Sequence, residues 1–522
     1  MSKLPTRNVD TVAAHASYAP DKLAVHDLPS ETRLPYRQLD ARIDACAWWL
    51  AEQPELGGGA RIAWLGRNEV DQVVCQIACG RTGRVFVPLN WRLAPAELAY
   101  QLADAECRLL VFDPQSEAQA QAVAAEVEGL RALPAATVRA ELDECAAAGR
   151  RGAAGEIDAN APMTLLYTSG TSGKPKGVII TTANTFFSAV NLSLLVKYDD
   201  SAVVLCDMPL FHVVGLTAIS RSILYAGGTL LMSDGFDQER TLARLGDPAL
   251  GVTHYFCVPQ MAQIMLQQPD FAAAGLSRLR AFITGGAPNP PDTIRRLVEH
   301  GVMMVNGFGM TEAGSVLNMP LGDLELIGRK AGSVGVPLLS TQVRLVDDDG
   351  NDVPTGEIGE LWLRGPAISP GYWNRPDANA EAFVDGWFRT GDAACCDEDG
   401  FYWLVDRRKD MFISGGENVY PAEVEGVLIE MRELAEVAVV GVPDARWGEV
   451  GAAYLVPLPG ANVSVEDVLA HCGERLARYK IPKHVFMIER LPRTASGKVQ
   501  KAELRKLFSS STGNADAGQR AR

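Results

Sequence analysis

Residues 163–178 read Met163-Thr164-Leu165-Leu166-Tyr167-Thr168-Ser169-Gly170-Thr171-Ser172-Gly173-Lys174-Pro175-Lys176-Gly177-Val178. An apolar lead-in, Met163 to Leu166, and a second apolar run, Val178-Ile179-Ile180, flank a stretch of ten residues, Thr168 to Gly177, rich in Ser, Thr, Gly, Lys and Pro. The pattern predicts strand, loop, strand. Gly170, Gly173 and Gly177 let backbone N–H groups converge on an anion. The hydroxyls of Thr168, Ser169, Thr171 and Ser172 add hydrogen-bonding groups, and Lys174 and Lys176 neutralise charge. Such a loop suits a polyphosphate. It is not the common P-loop, because Pro175 follows Gly173-Lys174 where Ser or Thr should open a helix. On pattern alone a flexible linker is the other reading, but linkers are rarely bracketed by two β-rich runs.

Working outward, residues 8–160 alternate helical and strand patterns. Residues 36–52 carry apolar side chains at helical spacing, and residues 61–65, 85–89 and 108–112 are short apolar strands. This β-α-β rhythm predicts a mostly parallel sheet with helices on its faces. Residues 115–156 read as a surface helix plus a linker. After the loop the alternation resumes. Strands are expected at 203–205, 228–232, 281–284 and 302–305, with a helix over 216–224, which gives a second α/β sheet. Residues 330–405 change to short β-rich runs separated by Asp-Gly and Pro-Gly turns, as in a small antiparallel barrel. Residues 410–508 mix strands and helices. The expected fold is therefore a large N-terminal α/β domain, with two α/β sheets plus a small β-barrel, followed by a smaller mobile α+β C-terminal domain. The boundaries are 1–406, a hinge at 407–409, 410–508, and a disordered tail at 509–522.

The bulk composition fits this reading. The chain has 522 residues, 47% apolar and 22% charged, which is too long for one ordinary domain. Its net charge of −15 gives no whole-chain basic footprint, so no nucleic-acid partner is expected. Ten scattered cysteines include no C-x-x-C pair, and only Cys395-Cys396 are adjacent. This usage suits free thiols in a reducing cytoplasm. Residues 1–7 lack the apolar core of a signal peptide, and no run of about 18 apolar residues predicts a transmembrane segment.

Three segments fall at strand ends, where open α/β sheets build their crevices. Met208–Gly215 presents Phe211-His212, Gly285-Gly286-Ala287-Pro288 follows a strand, and Asn306–Gly314 includes Thr311-Glu312. A carboxylate facing a polyphosphate is useful when a cation lies between them, and Mg²⁺ favours few carboxylates plus phosphate oxygens. The same Thr311 could simply cap a helix. Further on stand Phe388-Arg389-Thr390-Gly391-Asp392, then Asp406-Arg407-Arg408-Lys409-Asp410, Ser414-Gly415-Gly416-Glu417 and Arg493-Thr494-Ala495-Ser496-Gly497-Lys498.

In this order the segments resemble the motifs of adenylate-forming enzymes, the superfamily of acyl-CoA synthetases, firefly luciferase and peptide-synthetase adenylation domains. The resemblance covers nearly all of residues 10–508. It implies that ATP and AMP bind at Thr168, Ser169, Gly170, Thr171, Ser172, Gly173, Lys174, Lys176, Gly286, Asn306, Gly307, Thr311, Asp392, Arg407 and Lys498. Thr168 and Glu312 would hold Mg²⁺. Thr311 would touch the α-phosphate, and Asp392 and Arg407 would reach the ribose. Lys498, Thr311, Glu312 and His212 would serve catalysis, with Lys498 on the acyl carboxylate and α-phosphate. His212, Val213, Val214, Leu216, Gly285, Ala287, Phe308, Gly309 and Met310 would line the acyl pocket. Gly415 and Gly416 would border the path of CoA, and Lys409 would be the hinge. Ser172 keeps the hydroxyl of the Thr found in many members. Ile413 stands where some relatives carry a nucleotide-contacting Lys, and Asn418 where some fatty-acid members have an aromatic.

The implied activity is an ATP-dependent, AMP-forming acyl-CoA synthetase that uses Mg²⁺ and CoA and proceeds through an acyl-adenylate. No carrier domain follows residue 508, so free CoA is the expected acceptor. The pocket residues include no Arg or Lys, which disfavours a dicarboxylate. A medium- or long-chain fatty acid is the first expectation and an aryl-propenoic acid such as ferulate or coumarate the second. A nucleotide-sensing scaffold of the same fold is the non-enzyme alternative. The resemblance also admits a homodimer.

Overall fold

The computed structural model describes residues 10–152, 158–168, 175–287, 289–407, 410–414, 417–419, 421–444, 446–473, 475–476, 478–493 and 499–509. A six-stranded sheet holds Arg131–Pro134, Cys107–Phe112, Arg61–Leu65, Val85–Leu89, Pro162–Thr168 and Lys176–Thr181, in that spatial order. The first five run parallel, and Lys176–Thr181 returns antiparallel to Pro162–Thr168 with Thr168 opposite Lys176. Val85–Leu89 is buried at every position, as a strand covered on both faces must be. The expectation of a surface helix and linker over 115–156 needs correction. After helix Glu117–Glu126 the chain adds an edge strand, Arg131–Pro134, and a helix, Ala135–Ala147, that buries Ala135, Val138 and Leu142. High Ala content hid the apolar face of that helix, and four residues are too few to show alternation.

A nine-stranded sheet follows the order Val336–Pro337, Gly314–Asn318, Met304–Met310, Ala281–Thr284, His254–Cys257, Val203–Cys206, Thr229–Met232, Leu23–Asp27 and Thr32–Pro35. Its centre is parallel and buried. The first hairpin of the chain, Leu23–Asp27 with Thr32–Pro35, was not expected here. It closes one edge by pairing parallel to Thr229–Met232. One large core holds residues of both sheets, including Ile62, Phe86, Leu205, Tyr255 and Phe282. The strand ends at residues 206, 284 and 310 therefore lie at one end of the sheet, where open α/β sheets build their crevices.

The antiparallel pattern over 330–405 takes the form of a five-stranded sheet. Gln342–Val346 pairs with Gly359–Arg364, which pairs with the long strand Trp387–Cys396; that strand also pairs with Phe383–Val384 and Tyr402–Arg407. The C-terminal α+β unit has Phe412–Ser414, Glu417–Val419, Leu434–Asp444, Gly448–Pro457 and His484–Met487 in one sheet, with helices Pro421–Leu428 and Val465–Gly473. Among the described residues, no helix is long and apolar enough to cross a membrane.

Candidate active site

The phosphate-type loop springs from a braced base. Tyr167 Oη donates to Asp104 Oδ2 at 2.8 Å, and Arg375 pairs with the same carboxylate. Arg375 also donates to Tyr100 Oη at 2.7 Å, and Tyr100 Oη donates to the Pro175 carbonyl at 3.3 Å. Burial and the Asp104 carboxylate push the Tyr167 phenol well up, so it stays a donor at neutral pH. Both shoulders of the loop, 167 and 175, are thus tied to helix Pro95–Asp104. Ser169, Gly170, Thr171, Ser172, Gly173 and Lys174 lie outside the described residues. Thr168 and Lys176 flank them directly across the strand pair.

After the loop, strand Lys176–Thr181 runs straight into helix Thr182–Val196. Thr181 Oγ1 accepts from Asn184 N–H, and Asn184 Oδ1 accepts from Thr181 N–H, both at 3.0 Å. This reciprocal cap fixes where the helix begins. The helix places Ser188 beneath the Glu312 hairpin, where its hydroxyl accepts from Ser315 N–H at 3.4 Å.

That hairpin corrects one reading. Thr311 does not cap a helix; it lies in the turn between strands Met304–Met310 and Gly314–Asn318. The two strands approach so closely that a Cβ on Gly307 would overlap the Asn318 amide, and one on Gly309 would overlap the Gly314 carbonyl oxygen. Glycine is demanded at Gly309 by backbone contact and at Gly307 by the Asn318 side chain. Asn306 is held by its neighbours. Its Oδ1 accepts from Thr284 Oγ1 at 3.2 Å, its Nδ2 donates to the Ser333 carbonyl at 2.8 Å, and it is 3% exposed. Its amide clamps neighbouring segments together.

Glu312 is buried, and Tyr372 Oη donates to its Oε1 at 3.0 Å. Segment 371–373 lies beside the loop's return strand. Ile179 N–H donates to the Gly371 carbonyl at 3.0 Å, and Trp373 N–H to the Gly177 carbonyl at 2.8 Å. The Lys176 ammonium sits 5.1 Å from the centre of the Tyr372 ring. The structure thus brings together the loop's shoulder, Lys176, and the carboxylate of Glu312, which are 136 positions apart in the chain by their numbers. Sequence reading missed Tyr372, whose only signal was an aromatic pair, Tyr372-Trp373, in a Gly- and Pro-rich turn.

On the opposite wall, His212 is half-buried beside Phe211, with ring centres 4.9 Å apart. Its segment is held by Asn68, another residue sequence reading missed. Asn68 Nδ2 donates to the carbonyls of Met208 at 2.9 Å and Ser233 at 3.1 Å, while its Oδ1 accepts from Leu210 N–H at 2.9 Å. Val213 packs on Leu166, Val178 and Ile180, beside the loop strands and Tyr372. Instead of the expected α-helix over 216–224, Val214–Arg221 forms a π-helical segment and Ser222–Ala226 one α-turn. Such widened turns often sit at functional sites. Gly286 and Ala287 are exposed at the crevice edge, and Gly285 is buried. Leu216 lies wholly inside the main core, and Phe308 and Met310 pack against the core of the antiparallel sheet.

Asp392 is buried and stands directly opposite Arg407 on the neighbouring strand. Its N–H donates to Thr390 Oγ1 at 3.0 Å, and Thr390 Oγ1 donates to the Leu361 carbonyl at 2.7 Å. Lys409, Gly415, Gly416 and Lys498 lie outside the described residues.

Comparison with known proteins bears on this arrangement. The AMP-binding enzyme family matches residues 12–373, and its C-terminal domain matches residues 423–498. A feruloyl-CoA synthase from an Amycolatopsis species is 40% identical over 91% of this chain and 94% of its own. An indoleacetate–CoA ligase from Aromatoleum aromaticum is 38% identical over 95% and 97%. The long-chain-fatty-acid–CoA ligase FadD13 of Mycobacterium tuberculosis is 35% identical over 95% and 97%. ATP-bound MatB from Rhodopseudomonas palustris superposes with a TM-score of 0.86 at 32% identity, covering 96% of this chain and 99% of that one. The chain belongs to the AMP-binding enzyme family, within the adenylate-forming superfamily of acyl- and aryl-CoA ligases.

Proposed function

We propose that the protein joins an apolar, aryl-bearing carboxylic acid to CoA, at the expense of ATP cleaved to AMP and pyrophosphate. The observation that carries the catalytic reading is the convergence of Lys176, Tyr372 and Glu312 beside the loop. In the first step a carboxylate oxygen of the acid attacks the α-phosphorus, and the bond to the departing pyrophosphate breaks. In the second the CoA thiol, losing its proton, attacks the acyl carbon, and AMP leaves. Mg²⁺, when bound, offsets negative charge on the polyphosphate. Glu312 and Thr168 offer it hard oxygen donors, and one carboxylate beside phosphate oxygens suits this ion. Glu312 fits that role: it is buried and forms no ion pair with a described residue. Lys176 and the loop attract the phosphates, Asp392 accepts from the ribose hydroxyls, and Lys498 reaches the α-phosphate during adenylation.

The acid is read from the relatives and from the crevice wall. Ferulate and indoleacetate, in the names of two relatives, are aryl acids. Val213, Val214 and Ala287 give that wall no cation. This reverses the order expected from the sequence, where a fatty acid came first. A long-chain fatty acid is the second reading, favoured by the likeness to FadD13. Residues 407–409 are the proposed hinge between the large domain and the unit from residue 410. Free cysteines throughout the described chain support a cytoplasmic setting. ATP–pyrophosphate exchange with ferulate, coumarate, indoleacetate and C8–C16 fatty acids tests the reading. Exchange driven by an aryl acid supports it, and exchange with none of them contradicts it.

A further inference from the structure

We propose that Tyr372 is a positioning residue for adenylation, fixing Glu312 through its hydroxyl while its ring holds Lys176 apart from that carboxylate. The inference rests on the reading of Glu312 as the metal-facing carboxylate. A buried carboxylate and a nearby ammonium attract each other strongly, and a direct pair would consume the charges that nucleotide and metal require. Neither Lys176 nor Glu312 forms an ion pair with a described residue. Tyr372 contacts both and meets each with a different part of one side chain. Its O–H reaches Glu312 Oε1 at 3.0 Å, leaving Oε2 for another ligand. Its ring face lies 5.1 Å from Lys176 Nζ, and a ring attracts an ammonium without neutralising it.

Tyr372 is itself held at both ends of its peptide. Asn379 Oδ1 accepts from Tyr372 N–H at 2.7 Å, and Asn379 Nδ2 donates to the Tyr372 carbonyl at 3.0 Å. A backbone bridge to Val178 holds its main chain, and its side chain packs on the cluster of Leu166, Val178 and Ile180. The Phe383 ring stands edge-on with its centre 6.3 Å away. A tyrosine needed only to fill space would not require its hydroxyl to end on a buried carboxylate. Here the polar tip and the aromatic face serve two different charges.

Tyr372→Phe tests this, because it removes the O–H and keeps the ring. The metal is followed directly by Mn²⁺ paramagnetic resonance, with a non-hydrolysable ATP analogue present, and by the Mg²⁺ dependence of ATP–pyrophosphate exchange. A hydrogen bond to a charged group corresponds to roughly a tenfold or larger change in affinity. The expected result is Mn²⁺ binding weakened about tenfold, a raised Mg²⁺ requirement and a little-changed unfolding midpoint. Glu312→Gln should weaken Mn²⁺ binding at least as much, and the two changes combined should not add. Tyr372→Leu, which also removes the ring, should in addition raise the KM for ATP by releasing Lys176. If Glu312→Gln weakens Mn²⁺ binding and Tyr372→Phe does not, or if the two losses add in full, the positioning role is wrong. If neither substitution alters Mn²⁺ binding, the metal reading of Glu312 fails and takes this proposal with it.

Discussion

Asp392 faces Arg407 directly across two antiparallel strands, Trp387–Cys396 and Tyr402–Arg407. The two residues expected at the ribose are thus neighbours by strand register, although 14 positions and an Asp-Gly turn separate them. Asp392→Ala should raise the KM for ATP by about one to two powers of ten, the scale of hydrogen bonds to a charged acceptor. Its effect on the KM for the acid should be much smaller. Steady-state kinetics with each substrate varied in turn checks this, and equal changes in both constants would remove Asp392 from the ribose.

Gly309 packs tightly within its own hairpin. A side chain there meets the Gly314 carbonyl, so Gly309→Trp should disrupt the hairpin that carries Glu312 and depress turnover of every acid. Ala287 is exposed at the crevice edge, where added bulk meets no strand. Ala287→Trp should lower kcat/KM for long and aryl acids at least several-fold relative to short ones while the unfolding midpoint stays close to that of the parent. Unchanged relative rates would move the pocket away from this edge.

Most of the fold was legible because parallel, doubly covered strands such as Val85–Leu89 read as unbroken apolar runs, and the turns between them are polar. What escaped was set by long-range partners. The hairpin of Leu23–Asp27 and Thr32–Pro35 reads locally as two short strands, and only tertiary packing assigns it to the distant sheet. The stretch Met310-Thr311-Glu312 carries a helix-cap signal, yet pairing of Gly314–Asn318 with its neighbour makes it a turn. In the site, charged and glycine-rich motifs stood out, whereas Tyr372 and Asn68 act through long-range side-chain contacts that have no sequence period. Leu216 lies wholly in the core, because an apolar residue beside a site motif serves a core as readily as a ligand.

The two half-reactions should separate by mutation. Lys498→Ala should abolish ATP–pyrophosphate exchange and still convert supplied acyl-adenylate and CoA to thioester. Gly416→Leu should do the reverse by filling the path of the thiol. Lys409→Pro should impair the second step more than the first, since proline fixes φ at the proposed pivot. Rapid-quench assays of each half-reaction read this directly. Equal damage to both halves by Lys498→Ala would rule out two alternating orientations of the smaller domain.

Acid should weaken the fold through His254. Its Nε2 donates to the Val196 carbonyl at 2.8 Å, Nδ1 lies 2.8 Å from Thr253 Oγ1, and burial lowers its pKa from 6.5 to about 4. The unfolded chain therefore binds the extra proton first. The contribution of this group is complete above pH 6.5 and is lost as pH falls from 6.5 towards 4, on the order of 3 kcal/mol in all. His254→Gln retains a donor without the titration. Its urea midpoint should fall less than that of the parent between pH 7 and pH 4.5, and parallel falls would assign the acid sensitivity to other groups.

The most direct measurement is AMP release, with and without CoA, across ferulate, coumarate, indoleacetate, malonate and C2–C18 fatty acids. The account predicts release that requires both the acid and CoA, strongest with aryl acids, with long fatty acids next and malonate and acetate at background. Release without CoA at the same rate, or malonate as the best substrate, would contradict it.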